Sequence, residues 1–148
     1  LSHAYDQLPD ITKAGIAAGK AYEADRYLAA PDILQRLYVA AYNGEAFPRA
    51  VKWCDEGHAR FPRDERFARC RLWLASVPGR RLPADSVWRM VEAYRRTVPA
   101  AEWPLAERRA WILAAGALAR AGLADSAARV VARARTDPPS DPEAQLME

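Results

Sequence analysis

The sequence predicts an all-α protein of antiparallel helix pairs. Apolar residues return every three or four positions through most of the chain, and Pro and Gly fall between those stretches. Alternating, β-branched patterning nowhere dominates, so no sheet is expected. The 148 residues suit one compact domain, or about four helical pairs if a unit of about 34 residues recurs. The chain 1–148 is therefore read as a single helical domain, with the option that it is a fragment of a longer protein.

Each helix has its own signals. From Ile11 to Ala29, the residues Ile11, Ala14, Gly15, Ala18, Tyr22 and Leu28 share one helical face, and Pro9 and Asp10 supply a start. After Pro31, the stretch Asp32 to Asn43 turns Leu34, Leu37, Tyr38 and Ala41 inward and stops at Asn43-Gly44. Ala46 to Arg60 carries Phe47, Ala50, Val51, Cys54 and Gly57 on one face and most of its charges elsewhere. Pro62 ends it, and Asp64 can cap a helix from Glu65 to about Ser76. The breakers between Val77 and Pro83 form a loop. Helical spacing resumes through Val87, Val91 and Tyr94, stops near Pro99, restarts after Pro104, pauses at Gly122 and runs to about Arg135. Thr136 to Pro142 reads as loop and Glu143 to Glu148 as the first turn of another helix.

A repeat lies within this series. Trp111, Ala115, Leu118, Gly122, Ala127, Val131, Ala134 and Pro139 describe two helices that meet at small residues, with Gly at the turn and Pro at the end. Close crossings need small side chains, which Ala115 and Ala127 provide. The offsets recur as Ala50, Cys54, Gly57 and Pro62, with Leu34 as far before Ala50 as Trp111 is before Ala127. A degenerate copy runs through Val87, Val91, Tyr94 and Pro99, with larger side chains at the small positions. Counted back from Pro31, the matching positions are Gly19, Glu23 and Arg26, of which only Gly19 suits.

Between Leu34 and Pro139 this pattern resembles the tetratricopeptide repeat (TPR), with two good copies and one degenerate one. The resemblance implies antiparallel helix pairs stacked as an α-α superhelix, a TPR-like solenoid whose first helices line a concave groove for a partner peptide or protein. Subtracting core positions leaves Asp32, Gln35, Val39 and Tyr42 on one such helix, Arg66, Arg69 and Trp73 on the next, and Arg109, Ile112 and Arg120 on a later one. The candidate peptide-binding residues are thus Gln35, Val39, Tyr42, Arg66, Arg69, Trp73, Arg109, Ile112 and Arg120. Their arginines and aromatics suit an acidic or carboxylate-ended peptide. The bland alternative makes the arginines solvated helix faces and Trp73 core.

The expected function is a protein-protein interaction or scaffold module. The alternatives are a regulatory or sensing domain of a larger signalling protein, or arginine-mediated nucleic-acid binding. The last fits poorly, because 22 basic and 19 acidic residues are interspersed and sum to only +3. No apolar run approaches the roughly 18 residues of a membrane span. No Ser or Cys stands in a nucleophile elbow, and Gly15 and Gly19 do not make a phosphate loop, so no enzyme and no cofactor are expected. Cys54 and His58 lie one turn apart, but without a second pair they read as a packed thiol and a bystander, not as zinc ligands. Two cysteines suggest reduced thiols in a cytoplasmic protein; a Cys54 to Cys70 bridge between neighbouring helices would require export. Trp111 falls at a core packing position.

Overall fold

The computed structural model describes residues 2–26 and 30–136. These form seven helices, and no strand occurs among the described residues: α1 (Ser2–Ala24), α2 (Pro31–Asn43), α3 (Phe47–Arg60), α4 (Glu65–Ala75), α5 (Ala84–Arg95), α6 (Trp103–Arg120) and α7 (Ala124–Thr136). The protein is all-α. Leu28, Ala29, Pro139 and the stretch from Glu143 to Glu148 lie outside the described residues, as does the side chain of Ile11. The chain divides into two compact units, Leu1–Leu74 and Ala75–Glu148.

In the first unit α1 begins earlier than Pro9 and Asp10 suggest. It runs through the proline, which withholds only one backbone donor from the helix. Gly15 lets α1 approach α2 closely, since a Cβ on it would stand 2.7 Å from the Ala40 Cβ. Leu34, Ala50, Cys54 and Phe67 are wholly buried at the contacts among α2, α3 and α4. Gly57 faces the Phe67 ring so closely that a Cβ would fall inside its van der Waals envelope. Pro31 and Pro48 occupy first turns, where the missing N–H has no helical acceptor. Asp64 caps α4 as expected, accepting the Arg66 backbone N–H at 3.0 Å.

Cys54 and Cys70 form a disulfide between α3 and α4, with Cα atoms 6.1 Å apart. The expectation of two reduced thiols is thereby revised: inward positions on adjacent helices put the sulfurs in contact, so neither thiol is left to bind a metal.

Three long-range hydrogen bonds of this unit share one sequence separation. Tyr22 Oη donates to Glu56 Oε1 at 2.6 Å, Arg60 Nη1 donates to the Arg26 carbonyl at 2.9 Å, and Arg66 Nη1 donates to Asp32 Oδ1; each pair is 34 residues apart. Residues one period apart therefore face each other, α1 against α3 and α2 against α4. This register differs from the one counted back from Pro31, because it brings Tyr22 and Arg26 opposite Glu56 and Arg60.

In the second unit α6 packs between α5 and α7. Ala110, Ala114, Ala115, Ala117 and Leu118 bury the inner face of α6, and Ala127 and Ala134 that of α7. Trp111 is only half-buried, and the Arg133 guanidinium covers its ring at 4.5 Å from the centroid. It lies at the edge of the core, because the alanines beside it already fill the helix contact.

The helix turns of the two units share a cap. After α6, Leu123 N–H bonds to the Leu118 carbonyl and Gly122 N–H to that of Ala119, with Gly122 at φ 84°. After α2, Ala46 N–H bonds to Ala41 and Glu45 N–H to Tyr42, with Glu45 at φ 54°. Both are Schellman motifs, five residues before Ala127 and Ala50 respectively. The sequence suggests Gly44 for the left-handed position, yet Gly44 has φ −83° and Glu45 takes it. Glu45→Gly is expected to stabilise the protein by about 1 kcal/mol, by removing the Cβ clash of the left-handed conformation. A urea midpoint that falls on this substitution would contradict the assigned cap.

Candidate functional site

The α2 and α4 helices present the densest set of expected binding residues. Their facing sides are tied at both ends. At the N-terminal end the Arg66 guanidinium forks onto Asp64, Nε to Oδ1 at 2.9 Å and Nη2 to Oδ2 at 2.7 Å, and also reaches Asp32 on α2. The Asp64 carboxyl is held below the usual carboxylate range, chiefly by these bonds from Arg66. Arg66 is thus a clasp between helices, with its donors engaged, and it is not a vacant cation.

At the other end four aromatic rings meet. Tyr42 lies 5.8 Å from Trp73 at 84°, 5.9 Å from Phe47 at 71°, and 5.8 Å from Tyr38. Edge-to-face pairs of this kind hold rings firmly. Trp73 nevertheless keeps 43% of its surface exposed, so it is not a core residue. Burial pushes the Tyr38 and Tyr42 hydroxyls up from their usual pKa, while the charge of Arg69 pulls Tyr38 the other way. The sequence stripe omits Tyr38 and Phe47 from the cluster. The spacing of Tyr38 and Tyr42, one turn apart, is the signal for the first, whereas Phe47 belongs to α3 and carries none.

Between the two ties lie Gln35, Val39 and Arg69, all half-buried. The Gln35 Oε1 atom is buried and has no hydrogen-bond partner. Arg69 stands one turn from Arg66 and one turn from Trp73 on α4.

The remaining expected residues lie in the second unit, all on α6. Ile112 is 50% exposed, and Arg109, one turn before it, is exposed as well. Arg120 is set apart from them: its Nε donates to the Ser76 carbonyl, and Gly116, one turn earlier, approaches the Ser76 Cβ, to 3.3 Å from a built Cβ. That is a packing role within the unit.

Among the described residues no group of three His, Cys, Asp or Glu side chains is arranged to hold a metal ion, and no helix is long and apolar enough to cross a membrane. His58 is half-buried with Nδ1 unpartnered, and its pKa is lowered, first by burial and then by Arg71, with Asp55 opposing. Comparison with protein-family models, curated proteins and solved structures finds no match to this chain.

Proposed function

We propose that this chain is a tetratricopeptide-like repeat module that holds a segment of another protein against the α2 and α4 helices. The observation that carries the reading is Trp73, held edge-on by Tyr42 and still 43% exposed. Large aromatics fixed in place at a surface anchor interfaces, because they bury much area while losing little conformational freedom. The stacked-repeat architecture is supported by the bonds between residues 34 apart and by the cap common to Glu45 and Gly122. In such a stack the helices α2 and α4 are equivalent first helices, whose outer stripe is the surface left for a partner.

We infer the compartment from the cysteines. A reducing cytoplasm would hold them as thiols, so the bridge supports an oxidising compartment over the cytoplasmic setting expected from composition.

The test is selection from a displayed random-peptide library against the whole chain, followed by binding of the selected peptides to Trp73→Ala. A hot-spot aromatic should account for about 2 kcal/mol or more, so affinity is expected to fall at least roughly thirtyfold. Peptides that bind the variant as well as the parent would remove the α2 and α4 face from consideration.

A further inference from the structure

Helix α5 turns Val87, Val91 and Tyr94 inward and leaves Asp85, Trp88, Arg89, Glu92 and Arg96 at the surface, where Trp88 is 40% exposed. Folding of the second unit does not require that tryptophan. Helices α5 and α7 both pack on α6 and both open with Ala-Asp-Ser, and in each the Arg three residues after the Ser donates to its hydroxyl, Arg89 Nη2 at 2.9 Å and Arg129 Nη2 at 3.1 Å. Where α5 has Trp88 and Glu92, α7 at the same offsets has Ala128 and Ala132. The two helices share a structural plan, and the outer face of α5 carries residues that this plan does not use.

At 100° per residue, Asp85, Arg89, Glu92 and Arg96 fall within about 60° of one another round the helix, with Trp88 beside them. Their spacing is the same read from either end, and their signs alternate, so each acid mirrors a base. Laid antiparallel on itself, the face sets Asp85 against Arg96 of the other copy and Arg89 against Glu92 of the other copy, and the two-fold axis repeats both pairs. No like charges are opposed. In parallel register every charge would instead meet its own kind. The antiparallel arrangement also brings both Trp88 side chains to one flank of the contact, about 7.5 Å apart along it at about 1.5 Å of rise per residue. Within one copy Arg89 already pairs with Asp85 at 2.7 Å and Arg96 with Glu92 at 3.4 Å. Such exposed pairs one turn apart contribute little, and a carboxylate accepts from more than one donor, so these groups can turn to a second helix at small cost.

We propose that α5 docks antiparallel on α5 of a second copy of this chain, with Trp88 covered in the contact. A two-fold interface demands a surface complementary to itself, and the alternation of Asp85, Arg89, Glu92 and Arg96 meets that demand. One helix from each copy makes a small contact, so the dimer belongs to the weak, reversible class. The surface lies apart from the α2 and α4 face, and the pairing stands or falls independently of what that face binds.

The test is sedimentation equilibrium of the full chain from about 10 μM to about 1 mM, a range that spans weak association. A monomer and dimer in reversible exchange are expected, with the dimer weakened by raised salt as its ion pairs are screened. Trp88→Ala should weaken dimerisation at least about tenfold. Arg89→Glu and Glu92→Arg should each do the same, because each opposes like charges across the axis. An equimolar mixture of the Arg89→Glu and Glu92→Arg chains should dimerise again about as well as the parent, since each altered charge then meets its opposite. That recovery also shows that both variants are folded, and an unchanged far-ultraviolet dichroism spectrum shows it for Trp88→Ala. A parent chain that stays monomeric throughout would overturn the proposal. So would a dimer indifferent to Trp88→Ala, or a mixture of the two charge variants, each with the parent's dichroism spectrum, that associates no better than either alone.

Discussion

Phe67→Ala is expected to lower stability by about 3 to 5 kcal/mol, the range for deleting a large aromatic from a packed site. The ring is wholly buried and lies over the bare Cα of Gly57, so α3 and α4 close only because one residue is large and the other has no side chain. The cavity left by alanine would be lined by parts of both helices that cannot collapse, since the disulfide beside it fixes their spacing. The same geometry predicts strong coupling. Gly57→Ala alone should destabilise by about 1 to 3 kcal/mol through overpacking, and far less in the Phe67→Ala background. Urea denaturation of the four proteins of this cycle checks both statements. Additive losses would mean that Gly57 and Phe67 do not share one space.

Reducing the Cys54 to Cys70 bridge is expected to lower stability by about 3 kcal/mol, the order set by closing a loop of this length in the unfolded chain. Both sulfurs are buried, so reductant should act slowly on the folded protein and quickly once urea has opened it. Denaturation curves with and without dithiothreitol give the first quantity. Alkylation of the denatured, unreduced protein followed by mass measurement gives the second check: neither cysteine should be modified. Uptake of alkylating agent by both would establish free thiols and remove the case for an oxidising compartment.

The helices were legible because apolar spacing and breakers agreed along the chain. Leu34, Leu37, Tyr38, Ala50, Cys54, Val87, Val91, Tyr94, Ala115 and Leu118 all turn inward as their spacing predicts. Less legible were features that depend on which helix meets which. Arg66 stands on the stripe assigned to a binding groove, and nothing local says that Asp32 absorbs its charge. Only the offset of 34 residues between them connects the two, and Pro31 and Pro62, taken as unit ends, suggest a different offset for α1. Glu45 escaped for a related reason: the glycine beside it is the better left-handed residue by propensity, but the cap geometry that closes α2 falls one position later. Trp111 has the size of a core residue, yet the alanines around it fill the contact and leave it under Arg133.

The bonds that join each residue to the one a period away make the first unit sensitive to where its length changes. One residue added inside α2 or α3 would rotate everything beyond it by about 100° and turn Asp32 from Arg66 or Tyr22 from Glu56. The same residue added to the connection at 61–64, short of the Asp64 cap, would leave both helical frames intact. Insertions and deletions should therefore be confined to the connections, and protein engineers can graft new sequence there without disturbing how α2 meets α4.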